Sequence, residues 1–170
     1  RRRYWLYYAL ELLSGARRQI FVVFAAFMMV EKFGFEVHQL TALFLINLVI
    51  NIFAAPLFGY FIAHFGERRA LLIEYSGLIC VFLAYGGIYL FDWGVVIAAM
   101  LFILDHLFFG LRIALKTYFQ KISSPEDIAP TAAIALSINH VAAIFLPVLL
   151  GLLWLVSPGI VFLAAAFLAF

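Results

Sequence analysis

An all-α membrane protein of six transmembrane helices, with both termini cytoplasmic, is the fold class that three observations predict. The 170-residue chain is 68% hydrophobic and 12% charged, whereas a soluble domain is about half apolar and about a quarter charged. Its apolar residues fall into six runs separated by short polar punctuation, without the ten-residue alternation of an outer-membrane strand. Its basic residues are also distributed asymmetrically. Arg1, Arg2, Arg3, Arg68, Arg69, Lys116 and Lys121 fall at the start and around the even-numbered loops, and only Lys32 falls on the other side. That bias predicts cytoplasmic even-numbered loops by the positive-inside rule.

The runs form a single domain, 1–170, with helices expected at about 4–30, 40–65, 70–91, 94–119, 130–156 and 159–170. The first five are long enough to cross about 30 Å of hydrocarbon. The sixth is short of the ~20 residues a span needs. It is expected to continue beyond Phe170, as it would in one part of a longer protein.

The first run carries the polar stripe Glu11, Ser14, Gly15 and Arg18, spaced i, i+3, i+4 and i+7, with Arg17 and Gln19 beside it. The second carries Asn47 and Asn51 one turn apart. The third has Glu74, Tyr75 and Ser76 near its start. The fourth carries the stripe Asp105, Arg112 and Lys116, with His106 adjacent. Ser124-Pro125-Glu126-Asp127 supplies a capping serine, a first-turn proline and two acids, and Pro130 is placed as a restart of the fifth helix. That helix then carries Ser137, Asn139 and His140, followed by Pro147 and Gly151. Ser157-Pro158-Gly159 is expected to make a tight turn.

Depth follows from helix rise. Arg17, Asp105 and His140 lie about 15 to 20 Å from the starts of their helices, close to the midplane. Glu11 and Arg112 lie nearer the cytoplasmic side. Matched depth and opposite sign predict that Glu11 pairs with Arg112 and that Arg17 or Arg18 pairs with Asp105, because an unpaired intramembrane ion is costly. One acid cannot neutralise two adjacent cations, so a further anion is expected. Either a ligand or a second protein half would supply it.

Composition also excludes functions. The single cysteine, Cys80, rules out an intrachain disulfide. The net charge of +2 lacks a basic run interleaved with exposed polar residues, so no nucleic-acid partner is expected. His106 and His140, the two histidines inside the predicted helices' polar layer, do not by themselves make a haem or zinc site, and no cofactor or metal is expected. The sequence has no H-E-x-x-H, G-x-S-x-G or phosphate-loop motif, so no catalytic residue is assigned.

The segment GYFIAHFGERRAL, Gly59 to Leu71, resembles the loop signature of the major facilitator superfamily. That signature is a glycine on the second helix of a half, another glycine seven positions on, and then a basic cluster. Gly59, Gly66, Arg68 and Arg69 match it. The signature's acid four positions after the first glycine is absent, and Ala63 stands there. This weakened form is more typical of the second half of such transporters. Glu74 is the candidate substitute acid for Arg68 or Arg69. Gly59 is expected to let two helices approach.

The resemblance implies one six-helix half of a secondary transporter, the C-terminal half, in which the first, second, fourth and fifth helices face a central cavity. It implies alternating access between two halves, with Arg1-Arg2-Arg3 ending the central linker. The expected cargo is a small, anionic solute, moved with ion or proton coupling across a bacterial inner membrane. Candidate substrate-binding residues are Arg17, Arg18, Gln19, Asn47, Asn51, Asn139 and His140. Candidate coupling or ion-pair residues are Glu11, Asp105, His106 and Arg112. Expected partners are membrane lipid, the small-molecule substrate and a second six-helix half. The alternatives are a membrane enzyme with a buried polar site and a non-transporting scaffold or receptor.

Overall fold

The computed structural model describes residues 2–169, which are helical almost throughout and contain no β-strand. Arg1 of the basic start and Phe170 at the end of the sixth run lie outside the described residues. A short 3-10 turn at Arg2–Tyr4 leads into six helices: α1 Trp5–Phe33, α2 Val37–Phe65, α3 Glu67–Phe91, α4 Val95–Ile122, α5 Pro125–Val156 and α6 Pro158–Ala169. The first five are long and apolar enough to cross a membrane, and α6 is a shorter apolar helix.

Helix ends follow local chemistry. α1 runs past Val30 to Phe33 and stops where Gly34 takes a left-handed φ of 67°. α2 starts earlier than expected because Glu36 and Gln39 cap its first turn reciprocally, with Gln39 Oε1 accepting from the Glu36 N–H at 2.9 Å. Gly66 alone turns the chain from α2 into α3, at φ 85°. Asp92 ends α3 at φ 52°, a conformation Asp tolerates better than most residues. Its carboxylate accepts a 2.8 Å bond from Lys32, which holds the Asp92 carboxyl below the usual carboxylate range.

Two expected boundaries are corrected. Pro130 lies inside α5, which begins at Pro125: the first-turn position suits Pro125, and the helix continues through Pro130 in its second turn. Pro158 is the first residue of α6, so Ser157 alone forms the bend rather than a longer turn.

Turns of one to three residues force consecutive helices to run antiparallel. α3 packs on α6, α1 on α5, α2 on α4, α3 on α4 and α6 on α1. Exchanging the first three helices for the last three maps this pattern onto itself: α1–α5 becomes α4–α2, and α3–α4 becomes α6–α1. Three is odd, so the second triplet is inverted across the membrane relative to the first. The triplets also share defects. α1 widens to a π-helical segment at Ile20–Ala25, and α4 tightens between Gly110 and Ile113. Both breaks fall after four turns.

The apolar core lies mainly between α1, α3 and α6, built from Ile20, Phe24, Leu78, Phe82, Tyr85 and Phe162. α2 and α5 leave most of their apolar side chains exposed, including Phe53, Leu57, Ile144 and Leu152. Close approaches occur at Gly15 against Asn139, Gly77 against Phe108 and Gly110 against Phe58. Gly59 is exposed with nothing near its Cα face, so it does not provide the expected helix contact.

Candidate functional site: a cation-lined cavity between α1, α4 and α5

One face of α1 carries Tyr7, Glu11, Gly15, Arg18, Gln19 and Val22, every third or fourth residue apart from Gln19. This face meets Arg112, Lys116, Phe119 and Gln120 of α4 and Asn139 and His140 of α5, around a half-open cavity of about 580 Å³. Glycine at position 15 suits this packing. A side-chain carbon there would collide with the Asn139 amide and displace it.

The predicted Glu11–Arg112 pair is formed. Arg112 Nη2 donates to Glu11 Oε2 at 2.5 Å, and Asn139 Nδ2 donates to the same oxygen at 2.7 Å. Asn139 also donates to the Ala135 carbonyl at 3.1 Å, which fixes its amide. Arg112 Nε is buried without a hydrogen-bond partner. The His140 ring donates through Nδ1 to the Leu136 carbonyl at 2.8 Å, leaving Nε2 as its remaining polar atom. Three cations, Arg18, Arg112 and Lys116, therefore line the cavity against one carboxylate, Glu11.

The two adjacent arginines separate. Successive helical residues point about 100° apart, so Arg18 lines the cavity while Arg17 turns into the bundle. The expected pairing with Asp105 is corrected in part: Arg17, not Arg18, turns towards the interior, its direct ion pair is with Glu74, and its charge still acts on the buried Asp105. Arg17 Nη2 lies 3.6 Å from Glu74 Oε1, and its guanidinium sits 4.3 Å over the Tyr75 ring. Glu74 is accordingly an interior acid facing α1, and Arg68 and Arg69 are exposed at the surface. Asp105 is buried behind this layer, with Oδ2 lacking a hydrogen-bond partner.

Several other expected site residues also lie outside the cavity. Asn47 is buried between α2 and α4, donating to the Phe102 carbonyl at 3.5 Å, and Asn51 sits one turn further along the same helix. α2 is separated from the cavity by α4, which explains both displacements. His106 is half-buried beside Phe21, with ring centroids 5.8 Å apart.

No protein-family model, curated protein or solved structure matches this chain. Its chemistry is therefore read from the site's own geometry.

The cavity stops at Val22 of α1 and Ala143 of α5. Beyond it, Phe24, Phe27, Tyr89 and Phe162 pack around Trp154, whose Nε1–H donates to Glu31 at 2.9 Å. At the other end Tyr7 stacks on Phe119 at 4.2 Å, and Tyr4 donates to Asp127 at 3.0 Å. Lys121 bridges to Glu67 at 2.5 Å, tying the end of α4 to the start of α3. Tyr4 and Glu67 carried no periodic signal, and Asp127 was legible only as a first-turn acid, because their partners lie far away in sequence. Gln19, an expected site residue, lines the cavity.

Proposed function

We propose that this chain is a six-helix bundle of a secondary active transporter, of the major facilitator kind, that moves a small anion by alternating access. The observation that carries this reading is the charge of the cavity: Arg18, Arg112 and Lys116 face Glu11 alone. Arg112 is half-buried and Arg18 and Lys116 reach the cavity from exposed positions, so the surplus positive charge favours an anion drawn in from water. The inverted relation between the two helix triplets supports a carrier, since many transporters are built from such repeats around a site near the midplane. The exposed faces of α2 and α5 are where a second six-helix half would seat. The basic loops put the start of α1 and the α4–α5 turn at the cytoplasm, so the cavity faces inward and the Trp154 cluster closes the outer side. Coupling to a proton or another ion falls to Asp105, a buried intramembrane carboxylate with an unpartnered oxygen.

The test is uptake by the full protein in proteoliposomes. Labelled succinate and inorganic phosphate are supplied as representative anions, under imposed pH and voltage gradients. Arg18→Gln is expected to fold normally, because Arg18 is exposed, and to lose about tenfold or more in uptake, as befits one lost charge-assisted hydrogen bond. Wild-type uptake by this variant would remove the anion-carrier reading.

A further inference from the structure

Glu11 occupies the position an anionic cargo would take. We propose that it is a built-in competitor: its carboxylate holds Arg112 while the cavity is empty, and an entering carboxylate or phosphate displaces it. This inference rests on the anion-binding reading of the cavity and adds how the site is switched.

The geometry makes displacement feasible. A guanidinium offers five N–H donors in a planar fork that suits two oxygens of one oxyanion. Glu11 uses that fork poorly. It takes Nη2 through a single oxygen, Oε2, and leaves the buried Nε without a partner. An oxyanion entering from the cavity side can bind Nη2 and Nε together, and Arg18 and Lys116 add further charge. Asn139 is placed to assist the exchange, because its amide contacts both partners. Nδ2 donates to Glu11 at 2.7 Å and Oδ1 lies 3.5 Å from Arg112 Nη2. When Glu11 leaves, the amide keeps its 3.1 Å bond to the Ala135 carbonyl and stays in place to donate to the newcomer. The Tyr7 phenol, one turn before Glu11 on the same face, already contacts the Glu11 carboxylate and can keep hold of it when Arg112 is released.

The same chemistry has two sources, a dissolved anion or the phosphate of a lipid headgroup. The experiment is titration calorimetry on the full protein in nanodiscs. Succinate and inorganic phosphate are the probes, in phosphatidylcholine alone and with graded phosphatidylglycerol. Glu11→Gln is expected to bind the probes about tenfold more tightly than wild type, having lost a charge-assisted competitor. Removing a negative charge would strengthen anion binding even without displacement, so Glu11→Asp is the deciding variant. It keeps the charge and is one methylene too short to hold Arg112, and it too is expected to tighten binding.

Tighter binding in both variants supports the competitor. Tightening in Glu11→Gln alone shows only a long-range charge effect and overturns it, as does unchanged or weaker binding in both. If the tightening appears as a stronger dependence on phosphatidylglycerol rather than on the soluble probes, the competitor stands and the occupant is a lipid headgroup. Tight binding without transport would overturn the carrier reading and leave the competitor standing. Transport with unaltered binding in both variants would do the reverse.

Discussion

At the scale of the residue, Arg17 and Arg18 show how one position along a helix changes the physics. Arg17 is 2% exposed and its partner Glu74 is 0% exposed. Neither ion has water available, so each depends on buried neighbours, Glu74 on Arg17, and Arg17 on Glu74, Tyr75 and Asp105. Arg17→Gln should therefore lower stability by about 3 kcal/mol, the cost of stranding a buried carboxylate. Glu74→Gln in the same background should recover most of that loss, since a buried neutral amide costs less than a buried unpaired carboxylate. Unfolding in detergent, arranged as a double-mutant cycle, measures both effects. Additive losses would show that the two side chains do not interact. Sequence placed both arginines at the midplane and identified Glu11–Arg112 from depth and sign. It misassigned Arg17 because Glu74 was counted with the loop arginines. The start of a helix in sequence is not its edge in space when the next helix packs against it. Asn47 and Asn51 were misplaced for a related reason: periodicity identifies a polar face and does not say which neighbour covers it.

At the scale of the element, α1 is where folding and site formation coincide. Its stripe of Glu11, Gly15 and Arg18 was legible as a helical period. That Gly15 is the contact point with α5 was not legible, since only the partner helix reveals what a side chain would strike. Asn139 fills that space and is held by Glu11 and the Ala135 carbonyl. Gly15→Ala should push the amide away and break its bond to Glu11. A loss of about 1 to 2 kcal/mol is expected, typical of a disrupted buried hydrogen bond, together with weakened anion binding. A larger residue there should separate α1 from α5. Thermal unfolding alongside calorimetry checks this, and wild-type values for both would show that the close packing has slack. The π-helical segment Ile20–Ala25 begins directly after Arg18 and Gln19. Such widenings gather at functional sites because they re-aim the side chains beside them.

At the scale of the whole molecule, the two ends of the bundle are built from different materials. One end opens through charged and amide side chains between α1, α4 and α5. The other is packed with rings around Trp154 and tied by Glu31, Lys32 and Asp92. The six apolar runs made the helices readable from sequence, and the charge bias supplied an expected orientation. The asymmetry between ends was not readable, because it depends on which aromatic residues of α1, α3, α5 and α6 converge. An asymmetric bundle of this kind has a definite inward face if the basic loops are cytoplasmic, and that is open to direct test. In a Cys80→Ala background, Lys116→Cys places a thiol on the cavity wall, and Gly94→Cys places one in the α3–α4 turn at the opposite end. Both positions are exposed, so neither substitution disturbs the core. A membrane-impermeant maleimide should label Lys116→Cys only in inside-out vesicles and Gly94→Cys only in right-side-out ones. Labelling of both from the same side would mean that the chain does not cross between them, which would remove the inverted arrangement on which the carrier reading partly stands. Labelling on opposite sides with the order reversed would keep the carrier and turn the cavity outward, against the basic-residue bias that orients it.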